Sequence, residues 1–186
     1  MNKYDYAAVL EAIPSARVVF ARQKDFAEHC AKQLDDGQFF APLAPGLNSV
    51  GVTMQHMAGN LRSRWTDFLT SDGEKPDRNR EVEFAPPGED LGVHRKQIMQ
   101  RWERGWSALF QALEQAETAD PDATVTIRGV SHSIPMAIAR QLDHYGYHVG
   151  QIATTARGLV GNKSWEWFTV APGGSAAFNA SLGYKH

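Results

Sequence analysis

The chain has 186 residues, of which 42% are hydrophobic and 22% are charged, and its net charge at pH 7 is -2. This length and composition predict one folded domain over residues 1–186. The nearly balanced charge gives no reason to expect nucleic acid as a partner. No apolar run approaches the roughly 20 residues that span a bilayer, and no signal peptide is recognisable, so no membrane partner is predicted. The single Cys30 cannot form an internal disulfide, and we predict a cytoplasmic location by elimination.

Four segments carry the apolar periodicity of amphipathic helices: residues 14–34, 49–69, 90–116 and 134–159. Pro14 suits the first turn of the first helix, and Asn48 is a plausible N-cap of the second. Ser133 and Gly161 mark the start and the end of the fourth. Four long helices and little else predict an all-α fold, a four-helix bundle.

Three segments do not have helical periodicity. Residues 70–89 form a long polar loop after the second helix with three prolines, and a loop of that length is usually functional or disordered. Residues 124–128 alternate and predict a short extended stretch. The C-terminal tail from Lys163 is rich in aromatic residues, which favours packing onto the bundle.

A pair of histidines on the fourth predicted helix can bind a metal ion. His144 and His148 are four residues apart, so they lie one above the other on the same helix face. Two imidazoles so placed can bind one ion with bonds of roughly 2.1 Å. The spacing alone is a weak signal, because such pairs also occur by chance as surface or core histidines.

The position of the pair on the helical wheel strengthens the metal hypothesis. The histidines lie at the edge of the apolar stripe, on a strip with small and polar residues such as Gln151, as a cleft lining would be. The second predicted helix has a similar strip with His56 and Asn60. If these two helices pack side by side, His56 becomes a third ligand, and three histidines leave an open coordination position typical of catalytic sites.

Common catalytic motifs are missing. There is no His-Glu-x-x-His, no P-loop and no G-x-S-x-G turn. Asp67 shares the strip of His56 but lies roughly 16 Å along the helix at 1.5 Å per residue, too far to act directly at the metal. Any general base must therefore come from elsewhere in the chain, and the sequence does not identify it. The remaining histidines are predicted to have surface or ordinary hydrogen-bonding roles: His29, His94, His132 and His186.

Long stretches of the chain resemble a known superfamily. These are NSVGVTMQHMAGNLRSRWTDFLTSDGEKPDRNRE at 48–81, IRGVSHSIPMAIARQLDHYGYHVGQI at 127–152, and GGSAAFN in the tail. With the helix lengths, they resemble an uncharacterised bacterial branch of the DinB/YfiT-like superfamily of helical-bundle metalloenzymes. The tail sequence TVAPGGS departs from the more polar or basic stretch expected in this branch.

The resemblance implies a metal site and a range of activities. The superfamily pattern places one histidine on the second helix and a His-x-x-x-His pair on the last long helix, which here are His56, His144 and His148. It implies one divalent ion, commonly zinc, nickel or iron, and a homodimer. Relatives include bacillithiol S-transferases, a mycothiol-dependent isomerase and an iron-binding domain of sulfoxide synthases, but a shared fold does not fix a shared function.

Two classes of function follow. The first is a metal-dependent enzyme, a thiol S-transferase or a hydrolase, in which the ion acts as a Lewis acid. Gln151 or Asn60 would orient a ligand, and an arginine such as Arg64 would bind a small thiol or another ligand that bears a carboxylate. The arginines between residues 62 and 80 can equally be a solvated surface. The alternative is a non-catalytic protein that binds metal or a small ligand, for example in a stress response.

Overall fold

The computed structural model describes the backbone of residues 6–184 and the side chains of residues 13–184. Helices account for 61% of the chain, and the described residues contain one two-stranded sheet. The elements in chain order are α1 (Tyr6–Ala31), α2 (Asp36–Phe40), α3 (Val50–Trp65), α4 (Arg80–Glu83), α5 (Leu91–Glu117), β1 (Thr124–Ile127), β2 (Val130–Ser133), α6 (Ile134–Val160) and α7 (Ser175–Ser181).

The long helices begin at side-chain caps. Asp90 caps α5, and Ser133 caps α6 as predicted, with its hydroxyl accepting from the backbone N–H of the third helical residue. α6 ends before Gly161, which has a φ of 80°. For α3 the predicted cap is wrong, because Ser49 and not Asn48 accepts the hydrogen bond from the Val52 N–H.

Two predicted helix boundaries are wrong for local reasons. α1 already begins at Tyr6, so that Pro14 lies inside the helix and not in its first turn. The preceding segment, YAAVLEA, holds good helix formers that extend the helix past the proline. α3 ends at Trp65, four residues before the predicted end, because Thr66 is already extended with a ψ of 127° and Asp67 then adopts a left-handed φ of 50°.

The segments between the long helices contain more structure than the sequence indicated. The 70–89 loop contains the short helix α4, and α2 and α7 were not predicted. The predicted extended stretch at 124–128 is confirmed as β1, which pairs antiparallel with β2. Arg128 and Gly129 join the strands and both have positive φ, as in the tight turns that fit the twist of a hairpin.

The four long helices share one hydrophobic core. α3 packs against α5 and α6, and α1 packs against α6 and α5. Aromatic side chains from all four meet with ring centroids 5.4 to 6.3 Å apart: Phe20, Trp65, Trp102, Trp106 and Tyr145. Within the described chain, none of the helices is both long and apolar enough to cross a membrane.

The first part of the C-terminal tail packs onto the helices, as predicted, whereas α7 has no buried residue and Phe178 is exposed. Trp165 is buried and Phe168 stacks on Phe26 at 5.0 Å. The Glu166 carbonyl contacts the His29 ring nitrogen at 2.7 Å and accepts from the Gln33 amide. These contacts tie this part of the tail to α1.

Candidate metal centre

The structure brings together the three histidines that the sequence singled out. One ring nitrogen from each of His56, His144 and His148 lies within 4.8 Å of the others. The Nε2 atoms of His144 and His148 are 3.1 Å apart. His56 projects from the middle of α3 and the pair from the middle of α6, and these two helices pack against each other. His56 is 4% exposed and His148 9%.

A carboxylate fixes the orientation of His56. The Nδ1 of His56 lies 2.8 Å from Oε2 of Glu83, the last residue of α4. Because an ionised carboxylate only accepts hydrogen bonds, Nδ1 carries the proton and donates. The Nε2 of His56 is thereby left to face the other two histidines. A carboxylate behind a histidine is the usual arrangement around metal-ligating imidazoles.

Arg78 holds Glu83 in turn. Its guanidinium donates to both carboxylate oxygens, at 2.8 Å from Nε and 2.9 Å from Nη2. Burial raises the pKa of Glu83, but the hydrogen bonds from His56 and Arg78 outweigh it, so the net pKa is lowered. Glu83 is therefore ionised, and in this form it accepts the hydrogen bonds from His56 and Arg78.

Two residues of α3 accommodate the segment that carries Glu83: Gly59 leaves space for the carboxylate, and Gln55 binds the backbone. A Cβ on Gly59 would lie 2.1 Å from Oε1 of Glu83, so no larger residue fits while the carboxylate keeps its place. The Gln55 amide donates to the carbonyls of Val82 and Glu83 at 2.9 and 3.0 Å. The small and polar strip beside His56 thus receives the 78–83 segment of the loop.

A second polar contact fixes His148. Its Nδ1 lies 2.8 Å from Oε1 of Gln151, whose amide nitrogen donates to the Tyr147 hydroxyl at 3.0 Å. The amide oxygen accepts, so the proton of His148 is on Nδ1 and Nε2 faces His144. Gln151, one of the residues that the sequence suggested for orienting a ligand, thus contacts one of the three histidines directly.

The surroundings keep the imidazoles of His144 and His148 neutral. Burial, followed by the nearby His148, His56, Arg78 and Arg64, lowers the pKa of His144 to about 4. Burial also lowers the pKa of His148, against the opposing effect of the Gln151 hydrogen bond. Since metal binds the unprotonated imidazole, His144 and His148 are in the ligating form at neutral pH.

The donor set fits a divalent ion. Bonds of roughly 2.1 Å in a tetrahedral arrangement separate ligand nitrogens by roughly 3.4 Å, close to the 3.1 Å between His144 and His148. The ligand nitrogens of the three histidines lie within 4.8 Å of one another, so binding of one ion requires the rings to move slightly inward. All three donors are nitrogens, which suit zinc, nickel, copper and iron alike and do not select one metal.

The two other predicted candidates, both on α3, have other partners. Asn60 accepts from the Tyr145 hydroxyl at 3.0 Å, and Tyr145 accepts from the Trp65 indole at 3.0 Å. Arg64 is 4% exposed, and its only ion pair in the described chain is with Glu74 at 3.9 Å. Burial lowers the pKa of Arg64.

Several buried polar atoms on α3 and α6 have no hydrogen-bond partner among the described residues. They include Nε and Nη1 of Arg64, Oε1 of Gln141 and Nδ1 of His144. Arg64 belongs to α3, and the other two belong to α6. Unpaired buried polar groups cost stability, so each is a position where water or a polar ligand group is expected.

The remaining described histidines have ordinary hydrogen-bonding roles, as predicted. His94 accepts from the Gly88 N–H at 2.9 Å and lies 3.0 Å from the Gln55 amide oxygen. His132 contacts the Val130 carbonyl. His29 is tied to the tail. The prediction for His186 falls outside the described residues.

Glu83 and Arg78 were not predicted as site residues. The sequence placed them in a polar loop with charges of both signs, where no periodicity indicates which side chain turns inward. The available signal was chemical: a buried histidine that binds a metal usually has a carboxylate partner, and the loop after the helix of His56 contains several. Only the folded loop shows which one it is.

Comparison with known proteins places the chain in a family. It matches the family described as "Protein of unknown function (DUF1572)" over residues 9–174, and the chain belongs to that family. Comparison with the curated proteins and with the solved structures gave no significant match.

Proposed function

We propose that this member of the DUF1572 family binds one divalent metal ion through His56, His144 and His148. The observation that carries the proposal is the chain of contacts from Arg78 through Glu83 to Nδ1 of His56. It places a buried carboxylate where it orients an imidazole toward two others, which an ordinary core histidine does not require.

We further propose that the protein is a DinB/YfiT-like four-helix bundle. The quoted stretches at 48–81 and 127–152, together with the three-histidine pattern, support this assignment. Zinc, nickel and iron all fit the three imidazoles. A homodimer and a cytoplasmic location stay predictions, and light scattering after size-exclusion chromatography tests the first.

Within this proposal, thiol transfer is favoured over hydrolysis. A bound divalent ion would supply Lewis acidity that lowers the pKa of a coordinated thiol or water. Hydrolysis usually also needs a general base, but the nearest described carboxylate, Glu83, is engaged by His56 and Arg78 and has a lowered pKa. A thiol is acidic enough to be used without such a base.

Arg64 would bind the carboxylate of such a thiol ligand. Its side chain is buried with two unpaired nitrogens, and its charge contributes to the lowered pKa of His144. A carboxylate can accept a charge-assisted hydrogen bond from either of these unpaired nitrogens. The small thiol or carboxylate-bearing ligand predicted from the sequence would then span the distance between Arg64 and the histidines.

A non-catalytic metal-binding protein is the second candidate. The low exposure of His56 and His148, 4% and 9%, favours it, because a catalytic ion needs an accessible coordination position. The two candidate functions differ in whether an added ligand, such as a thiol, can coordinate the bound metal.

The first experiment measures bound metal by elemental analysis in protein purified without a histidine tag. We expect close to one ion per chain in the wild type and in the control His132→Ala, and a large loss in His56→Ala and His144→Ala. Absence of metal from all samples after incubation with zinc, nickel and iron(II) would contradict the metal proposal.

The second experiment tests the enzyme proposal with the cobalt(II)-substituted protein. Addition of mercaptoacetate should produce a thiolate-to-cobalt absorption band, and Arg64→Gln should weaken binding of mercaptoacetate but not of 2-mercaptoethanol. Arg140→Gln, an exposed arginine on α6, is the control. No spectral change with either thiol would favour the non-catalytic candidate.

A further inference from the structure

A cleft of about 650 Å³ lies between α3 and α5, on the side of α3 where the 78–83 segment packs. Three small residues contribute to its lining and form what we call its floor: Ala58, Gly59 and Ala108. The three histidines of the candidate metal centre do not line it. Glu83 does, so this carboxylate separates the cleft from His56.

Four arginines line this cleft, which we call the arginine cleft: Arg62, Arg78, Arg101 and Arg104. Two have acidic partners, because Arg62 pairs with Asp77 and Arg78 binds Glu83. The single negative charge in the lining, Glu83, is therefore already compensated.

Arg101 and Arg104 have no such compensation. Neither makes an ion pair or a side-chain hydrogen bond with any residue in the part of the chain that the structure describes. They lie three residues apart on α5, so their guanidinium groups share one helix face and repel each other. Two adjacent uncompensated positive charges at the mouth of a cavity attract an anion.

The chemistry of the lining selects an oxyanion. Guanidinium groups bind phosphate and carboxylate oxygens with paired, charge-assisted hydrogen bonds. Thr66 and Asn79 add polar groups to the wall. The volume exceeds what a phosphate ion fills and lies in the range of pockets that hold small organic molecules.

We propose that the arginine cleft binds a small organic molecule through a doubly charged oxyanion group, a phosphate monoester, held by Arg101 and Arg104. The small residues on the floor then contact the organic part. This site is separate from the metal centre, and its occupancy does not depend on the metal.

The test is calorimetric titration of the full-length protein with phenyl phosphate and with inorganic phosphate, at constant ionic strength set with chloride. We expect saturable binding that weakens at least 10-fold in Arg101→Gln/Arg104→Gln. The control Lys96→Gln/Arg140→Gln removes two exposed charges outside the cleft and should bind like the wild type. Arg101→Lys/Arg104→Lys keeps the charge without the paired geometry and should give intermediate affinity.

The outcomes separate the possible ligands. Tighter binding of phenyl phosphate than of inorganic phosphate supports an organic ester as the ligand, and equal binding assigns the site to the free anion. No binding above the chloride background, or equal weakening in the control double variant, would overturn the proposal. Because the substituted side chains are exposed, circular dichroism should show unchanged folding in all variants.

Discussion

Substitution of Gly59 by alanine tests the contact network behind His56 without changing any histidine. The added Cβ would lie 2.1 Å from Oε1, 2.6 Å from Cδ and 3.1 Å from Cγ of Glu83. The whole carboxyl group must therefore move away, and it loses its hydrogen bonds with Nδ1 of His56 and with the two nitrogens of Arg78.

Opposing effects determine the expected change in stability. Alanine in a helix interior stabilises by roughly 0.5–1 kcal/mol relative to glycine. Each hydrogen bond to a charged group contributes about 1.5–3 kcal/mol, although Arg78 can keep part of its interaction through Glu74. We expect Gly59→Ala to lower the free energy of unfolding by about 2 kcal/mol. Under the metal proposal, zinc affinity should also fall by roughly 10- to 100-fold.

Urea denaturation of the metal-free protein and competition with a zinc chelator measure these two quantities. Gly150→Ala on α6 is the matched control, because its Cβ would meet no atom within 4 Å, and we expect a small gain in stability. In a double-mutant cycle, introducing Gly59→Ala into Glu83→Gln should cause little further change in the free energy of unfolding or in zinc affinity. If Gly59→Ala is as stable as Gly150→Ala and binds zinc like the wild type, Glu83 is not held against His56 in solution.

Three further predictions concern the core and the imidazoles. Tyr145→Phe leaves the Trp65 indole N–H and the Asn60 amide oxygen without their shared partner, and urea denaturation should show a loss of about 2–3 kcal/mol. Burial raises the pKa of the Cys30 thiol to about 12, so a thiol reagent at pH 8 should react only after unfolding, and rapid labelling of the native protein would contradict its burial. In the metal-free protein the pKa of His144 is about 4 when folded against 6.5 when unfolded, so the unfolded state takes up the proton first. Stability should therefore be complete above pH 6.5 and should decline as the pH falls toward 4, by about 3 kcal/mol in total. The urea midpoint, measured across this pH range, should change less with pH in His144→Asn than in the wild type.

The helices and their core faces were predictable because each depends on residues close together in the chain. The apolar stripe that includes Met54, Leu61 and Trp65 on α3 is buried as the periodicity indicated. The same periodicity placed His56 beside this stripe and His144 and His148 beside the apolar stripe of α6, so the three histidines could be found before their helices were seen to meet.

The boundaries and the short elements could not be predicted in the same way. Thr66 and Asp67 end α3 through backbone conformations that the neighbouring sequence does not reveal. The burial of Trp165 in the tail, by contrast, could be predicted, because contact with an apolar surface stabilises a large aromatic side chain.

The sequence by itself determined the helical character, the buried stripes and the identity of the three histidines, since these follow from the 3.6-residue repeat and from side-chain chemistry. The tertiary structure alone decided that Glu83 and Arg78 stand behind His56, and that Arg101 and Arg104 face a cleft beside α3. Both arrangements join residues far apart in the chain, and in a polar loop or on an exposed helix face no local pattern specifies the partner. The space left by Gly59 and the packing of α3 against α5 determine which charged side chains meet.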